Sequence, residues 1–367
     1  MPPGALDGLL VADFSRVLAG PLCTMTLGDL GADVIKVERP GDGDDTRSWG
    51  TSYFPALNRN KRSVALDLAD PADGALAREL ALRADVLVES FRPGLMERWG
   101  LGLEDLRAAN PQLVTCSITA FGAAASLPGY DLLAQAAAGW MSITGDEDGP
   151  PRKIGAPLAD VLCGLHATIG VLGALRGGER HVEVSLMHSA LAGLINQGSV
   201  YLNDGVVPGR LGNRHPSITP YETFAAADGD IVIACGNDAI FRSLCAAIER
   251  PDLAADERFA VNDARAANRE ALLAELEPLI ASRSVADWLE RLIPARVPAG
   301  PVNDLAAAFA LAAELDLGAV DETGGIRTVA PPIGAGATVR LPPPALDEHG
   351  DEIRSWLRAP GESSSGA

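Results

Sequence analysis

Residues 9–38 read LLVADFSRVLAGPLCTMTLGDLGADVIKVE. Leu9–Phe14 has the pattern of a buried strand, and a helix is predicted from Ala19 to Leu30, entered through Gly20-Pro21. Asp33–Glu38 reads as a second strand. Strand, helix, strand over so short a span is a βαβ unit, which requires a right-handed parallel crossover. No GxGxxG follows the first strand, which counts against a nicotinamide-dependent dehydrogenase.

Outward from that unit the alternation continues. Val64–Leu68 is a predicted strand, 71–84 a helix, Asp85–Glu89 a strand, Phe91-Arg92-Pro93-Gly94 a helix entry and Leu113–Ile118 another strand. The fold class is therefore α/β, with an open, Rossmann-like, doubly wound parallel sheet. Ligands of such sheets sit at the carboxyl ends of the strands. Arg16, Arg39 and Phe91 each fall just past a strand end and are predicted to converge there. Residues 41–63 form a polar, glycine-bearing segment with Arg47, Trp49, Tyr53 and the run Asn58-Arg59-Asn60-Lys61-Arg62. That run has two readings, a solvated loop or a contact for phosphate oxygens.

Residues 128–176 read as two buried helices joined by a polar loop, the second running from about Pro157 to Arg176. Apolar residues crowd every face of that second helix, as in a core helix. Asp160 lies in its first turn. As a helix-start residue it would accept backbone N–H bonds and complement the positive helix end. As a rigidly held, partly dehydrated carboxylate it would serve as a nucleophile toward an activated acyl carbon.

Composition narrows the classes. A net charge of −19 argues against a nucleic-acid binder or a binder of anionic membranes. Residues 1–62 are nearly balanced, with seven Arg/Lys against eight Asp/Glu, which leaves room for a local basic surface. Five scattered cysteines without a CxxC pair read as reduced core residues, not as a metal site or disulfide framework. No basic-then-apolar signal pattern opens the chain, and apolar segments such as 161–175 are short and interrupted by Gly. The expectation is a cytoplasmic protein without metal or prosthetic group.

Beyond the central helices, His181–Leu186 reads as a strand and 187–203 as a helix, followed by a stiff, Pro-bearing connection, Arg210–Tyr221. His215 within it invites a catalytic reading, although a lone His before Pro is more often a structural hydrogen-bonder. A smaller α/β domain follows, with a strand at Asp230–Cys235, the turn Gly236-Asn237-Asp238, and helices near 239–248, 265–281 and 284–293. Gly236 is either part of an active-site loop or a plain strand-to-helix turn. Predicted boundaries are 1–205 for the large domain, 206–315 for the small domain with its linkers, and 316–367 for a segment returning to the large domain. The tail 360–367 is predicted to be disordered.

Several motifs carry a resemblance. Asp13-Phe14-Ser15-Arg16-Val17-Leu18-Ala19-Gly20-Pro21, Gly31–Gly41, Asn58–Ser63, Leu87–Gly94, Pro128-Gly129-Tyr130-Asp131, Ser142-Ile143-Thr144-Gly145 and Gly155-Ala156-Pro157-Leu158-Ala159-Asp160 resemble the class III CoA-transferases. That family includes formyl-CoA and carnitine CoA-transferases and also α-methylacyl-CoA racemases. The pattern Gly212-Asn213 … His215-Pro216 … Pro220-Tyr221 and the closing Glu348–Ile353 are similar too. The resemblance implies a catalytic set of Asp160, Tyr130 and Gly236. It also implies a CoA-binding set of Arg16, Val17, Leu18, Ala19, Arg39, Leu66, Ser90, Phe91, Arg98 and Asp131. Within that set, Val17, Leu18 and Ala19 would lie near the pantetheine and adenine, Arg39 and Arg98 near phosphates, and Leu66 and Phe91 around the adenine. Ser90 stands where Asn is usual, and Pro128 where formyl-CoA transferase has a lysine. The segments 121–130 and 176–181 are shorter than is usual in the family. An interlocked homodimer is implied as well.

The chemistry implied is CoA transfer from an acyl-CoA donor to a carboxylic acid acceptor, through an aspartyl-acyl anhydride and an aspartyl-CoA thioester on Asp160. Backbone N–H groups near 236–237 and at the start of the Asp160 helix are candidates for oxyanion stabilisation. Racemisation needs an acid and a base across the α-carbon. The racemases of the family place a His where this chain has Tyr130, and a phenol is a poor base at neutral pH. A non-catalytic CoA-binding protein is the third reading.

Overall fold

The computed structural model describes residues 4–125, 127, 129–334 and 336–359. Pro128 and the tail 360–367, both named above, lie outside the described residues.

The chain opens with β1 (Leu10–Phe14), α1 (Ala19–Asp29), β2 (Asp33–Glu38), β3 (Lys61–Ala65), α2 (Pro71–Arg83) and β4 (Val86–Glu89). The short α3 (Leu95–Arg98) and α4 (Leu103–Ala109) lead to β5 (Val114–Thr119) and α5 (Asp131–Ala137). A helical turn, α6 (Trp140–Ile143), precedes the long α7 (Leu158–Arg176), β6 (His181–Ser185), α8 (Leu186–Ala192) and α9 (Asn196–Asp204). Then come β7 (Tyr221–Ala225), β8 (Asp230–Ala234), α10 (Asp238–Ala247), α11 (Pro251–Ala255), α12 (Asn262–Ala267), α13 (Arg269–Ile280) and α14 (Val285–Leu292). The last elements are β9 (Ala299–Pro301), α15 (Leu305–Glu314), the hairpin β10 (Val320–Thr323) and β11 (Ile326–Val329), and α16 (Gly350–Arg358).

Two compact units result. The first holds Met1–Trp140, Lys153–Val207 and Asp316–Ala367; the second holds Met141–Arg152 and Pro208–Leu315. Met141–Arg152 was expected with the large domain. It joins the second unit because the Gly145 carbonyl accepts the Gly212 N–H at 3.0 Å and the Asp146 carbonyl accepts Arg210 Nε at 3.2 Å.

In the first unit six parallel strands lie in the order β3-β2-β1-β4-β5-β6. The order reverses between β1 and β4, so the crevice of the sheet opens at their carboxyl ends. Period-two alternation feeds both faces. Val11, Val34, Val86, Val88 and Cys116 join Cys23, Leu27, Cys163, Ala167 and Val171 on one side. Ala12, Phe14, Ile35, Val37 and Leu87 join Leu80, Leu106 and Ile353 on the other. The sheet is thus doubly wound, as its strand pattern predicts.

α7 is long and apolar enough to cross a membrane by length and composition. Here its Ala159, Cys163, Ala167, Val171 and Ala174 are buried in the sheet-facing core, while Leu165 and Ile169 stay exposed, so one face is open and not every face is buried. A helix was expected over 187–203. It is two helices, α8 and α9, because Ile195 turns to φ +46° after Gly193.

The run at 58–62 corrects both of its readings. β3 begins at Lys61 and not at Val64, so Asn58, Arg59, Asn60 and Lys61 are buried. Arg59 forks onto Asp29 at 2.7–2.9 Å, and Lys61 donates to Asp13, Asn58 and the Pro21 carbonyl, each at 2.9 Å. Buried charges persist only when paired in this way. Only Arg62, bound to Asp33 and Glu352, keeps partial exposure.

β3 is also an edge strand, and the returning segment covers it. Arg59 Nη1 donates to the Val329 carbonyl at 2.8 Å, and Asn60 Nδ2 to the Thr338 carbonyl at 2.8 Å. Asn60 Oδ1 accepts the N–H groups of Arg340 and Leu341. Asp347 Oδ1 accepts the Ala65 N–H at 2.8 Å.

The second unit combines a three-stranded antiparallel sheet, β7-β8-β9, with the helices α10 to α14. Phe224, Ile231, Ile233, Phe241, Leu276 and Trp288 form its core. His215 takes its structural reading: Nδ1 accepts the N–H groups of Ser217 and Ile218, both at 3.1 Å.

Candidate active site

The site grows from the start of α7. No side chain at its N-cap, Pro157, accepts a hydrogen bond. The cap comes instead from α5: Asp131 Oδ1 accepts the N–H of Ala159 at 2.9 Å and that of Asp160 at 3.3 Å. Asp131 is fixed in turn by Gln135, whose Nε2 donates to Oδ2 at 2.6 Å and whose Oε1 accepts the Ile154 N–H at 2.9 Å. The helix-start role considered for Asp160 thus belongs to Asp131. The expected oxyanion donors at the start of α7 are likewise occupied, since two of their N–H groups already serve Asp131.

Asp160 is left with a free carboxylate. It is only 8% exposed, and no donor reaches its oxygens among the described residues. Burial, reinforced by the Asp131 charge, pushes its pKa up to about 7. Two cavities meet it. One of about 190 Å³ runs past Arg16, Val17, Leu18, Ala19, Gly20, Ser90 and Phe91. The other, of about 810 Å³, is walled by Trp49, Tyr53, Tyr130, Leu132 and Lys153.

The loop after β1 separates the two. Val17 adopts φ +69°, strained for a β-branched residue. Its N–H points to Asp44 at 3.3–3.4 Å, and buried Lys36 bonds both Asp44 Oδ2 and the Ser15 carbonyl at 2.9 Å. Across the crevice the Arg16 N–H donates to Ser90 Oγ at 3.0 Å. A third cavity of about 240 Å³ gathers Arg16, Arg39, Leu66, Phe91 and Trp99. Phe91 stands edge-on to Trp99 at 5.1 Å, with the Arg16 guanidinium 5.8 Å from its ring centroid. An apolar slot with two cations at its mouth suits a planar base carrying phosphates.

Most of the sequence-predicted residues therefore line adjoining cavities of one unit: Asp160, Tyr130, Asp131, Arg16, Val17, Leu18, Ala19, Ser90, Phe91, Arg39 and Leu66. Arg98 does not; it is exposed at the end of α3 and lines none of these three cavities. Gly236 is exposed between β8 and α10 in the second unit, where Asn237 caps α10 through the Ile240 N–H at 3.0 Å. Sequence reasoning gave no role to Trp49 and Tyr53. Burial together with the charges of Asp160 and Asp131 raises the Tyr53 pKa, which puts the phenol in the field of both carboxylates. The signal was there: aromatics in a polar, glycine-bearing loop have little reason to be solvated. Trp49 meets Tyr53 edge-on at 5.5 Å and Tyr130 at 6.5 Å.

Comparison with known proteins identifies the family. Residues 6–350 match the model of CoA-transferase family III. The chain is 40% identical to the acetyl-CoA:oxalate CoA-transferase of Acetobacter aceti, covering 98% of this chain and 97% of that protein. It is also 40% identical to the succinate–glutarate CoA-transferase of Agrobacterium fabrum, covering 97% and 96%. Among solved structures, a CAIB/BAIF family protein from Brucella suis superposes with a TM-score of 0.87 at 42% identity, covering 97% of this chain and all of that one.

Proposed function

Because the chain belongs to CoA-transferase family III and is a CoA-transferase, we propose that it moves CoA between carboxylic acids through covalent intermediates on Asp160. The observation that carries this reading is the free, nine-tenths buried carboxylate of Asp160 beside two cavities. A carboxylate without hydrogen bonds keeps its full nucleophilicity, and low water access protects an anhydride from hydrolysis.

In the first step Asp160 Oδ bonds the thioester carbon, and the C–S bond breaks to release CoA thiolate and leave an aspartyl-acyl anhydride. The thiolate then attacks the aspartyl carbon, expelling the donor acid as its carboxylate. The acceptor carboxylate attacks the resulting aspartyl-CoA thioester, whose C–S bond breaks to release thiolate and leave an aspartyl-acceptor anhydride; the thiolate then attacks the acceptor's acyl carbon and expels the Asp160 carboxylate. Arg16, Arg39, Leu66 and Phe91 hold the nucleotide end of CoA in this reading, and Val17–Ala19 the pantetheine end. The family resemblance adds Gly236 of the second unit to the catalytic set.

The acceptor is a small carboxylic acid, and the wider cavity supports a dicarboxylate. Lys153 at its rim has no carboxylate partner among the described residues and rests on the carbonyls of Ile154 and Gly155 at 3.3–3.4 Å. The two relatives, an acetyl-CoA:oxalate and a succinate–glutarate CoA-transferase, point the same way. The reading includes a cytoplasmic location and a homodimer with interlocked chains. Exposed Leu305, Phe309 and Leu311 on α15, and Leu202, Val206 and Val207 at the end of α9, support a partner surface.

The test is chemical trapping. Incubation with an acyl-CoA and hydroxylamine should modify residue 160, and Asp160→Ala should abolish CoA exchange. Normal exchange in Asp160→Ala would sink the proposal.

A further inference from the structure

The first turn of α1 has no cap. Leu18 stands at its N-cap position, and no side chain accepts a bond there. Helix starts leave their first N–H groups without intrahelical partners. Here Leu22 N–H reaches the Leu18 carbonyl, and Pro21 has no N–H. The N–H groups of Ala19 and Gly20 have no acceptor among the described residues. Both residues are buried, and both line the narrow cavity that holds the unpartnered Asp160 carboxylate. Buried donors are costly to leave empty.

The packing of α1 on α7 sets the aim. Gly164 lies one turn after Asp160 on the same face of α7. A Cβ at Gly164 would sit 2.6 Å from the Ala19 carbonyl oxygen, so only glycine lets the start of α1 come this close. That face, one turn earlier, carries Asp160. The loop before α1 is clamped: Lys36 and Asp44 hold the Ser15 carbonyl and the Val17 N–H, and Val17 keeps its strained turn. Strain of this kind persists where surrounding structure enforces it, commonly at functional sites. Ser15 packs against the Cα of Gly20, yet no side chain offers an acceptor to the N–H groups of Ala19 and Gly20 among the described residues. Meanwhile the N–H groups at the start of α7, the other nearby donors, are consumed by Asp131.

We propose that the N–H groups of Ala19 and Gly20 are the oxyanion site of the transfer. This rests on Asp160 being the nucleophile. As its oxygen bonds the thioester carbon, the C=O π pair moves onto the carbonyl oxygen, which accepts both N–H groups. The pair returns as the C–S bond breaks, and the sulfur departs as thiolate. The division of labour is specific: α7 presents the attacking carboxylate, and α1 receives the charge that the attack creates.

Replacing Ala19 by lactic acid, an amide-to-ester exchange through nonsense suppression, removes one donor and leaves the side chain in place. The expected result is a fall in kcat of roughly 10- to 100-fold. KM for acyl-CoA should stay within about twofold and the melting curve should be little changed, because only a transition-state contact is lost. A second variant keeps the question open to refutation if the ester chain folds poorly. Leu18→Ser places a hydroxyl that caps the Gly20 N–H, and Leu18→Ala is its partner without the cap. Leu18→Ser is expected to be the more heat-stable and the less active of the two. Equal kcat in this pair, or an unchanged kcat in the ester enzyme, overturns the oxyanion site. If the unmodified enzyme is still trapped by hydroxylamine at Asp160, only this inference falls. No adduct in the unmodified enzyme removes the nucleophile and the oxyanion site together.

Discussion

Asp131 Oδ1 accepts the backbone N–H of Asp160 at 3.3 Å, so the carboxylate that caps α7 also bears on the carboxylate that α7 presents. The bond fixes position, and the charge raises the Asp160 pKa in addition to burial. Asp131→Asn keeps an acceptor and removes the charge. The acid limb of kcat/KM for CoA exchange is expected to move to lower pH, with KM nearly constant. Asp131→Ala removes the cap as well and should cost about 1–2 kcal/mol of stability, read from urea unfolding.

Asp160 should weaken the fold as pH rises. In the unfolded chain it loses its proton near the ordinary aspartate value of 3.8, while in the folded chain it keeps the proton to about 7. Between those values the folded state binds more protons, so stability falls with pH across that window and is flat above it. Asp160→Asn has no such proton to lose. Urea unfolding at pH 5 and pH 8 should show the variant gaining about 2–3 kcal/mol over the native chain between the two. A gain that is absent or reversed would mean that the folded chain does not raise the Asp160 pKa above its ordinary value.

Gly164→Ala tests the contact between α1 and α7. The added methyl meets the Ala19 carbonyl oxygen at 2.6 Å and must push the two helices apart. A loss of about 1–3 kcal/mol is expected, with a fall in kcat larger than the change in KM. Thermal unfolding and steady-state exchange on one preparation would check both.

Lys153 should discriminate between acceptors. Lys153→Met is expected to raise KM for a dicarboxylate acceptor about tenfold or more, corresponding to a lost charge-assisted contact. KM for a monocarboxylate of similar length should be unchanged. Equal effects on both acids would remove Lys153 from recognition.

The sheet was legible because β1, β2, β4 and β5 are apolar runs separated by helical stretches, and a strand buried on both faces has little alternative. Asp160 was legible through its place in a motif, although its partner was not: Asp131 lies 29 residues earlier, and nothing local shows that it caps α7. The 58–62 run misled for the same reason. Its charges look solvated until Asp29 and Asp13, from other elements, are brought against them. Trp49 and Tyr53 escaped because no periodicity marks a loop that folds back over a cavity. In the second unit the strand at Asp230 was visible, but its antiparallel partner β7 shows no apolar alternation and β9 spans only 3 residues.

The way β3 is sealed also bears on how the chain is made. Arg59 and Asn60 leave the ribosome well before Val329, Thr338, Arg340 and Leu341, the partners of their buried side chains, which lie 270–281 residues further on. The first unit therefore stays incomplete until the segment from Asp316 onward has been made. A chain stopped after Leu315 is expected to leave this edge open to protease and to self-association, which digestion and light scattering of the truncated product would reveal. Its large unit is sewn shut by a stretch translated long after the strand it covers.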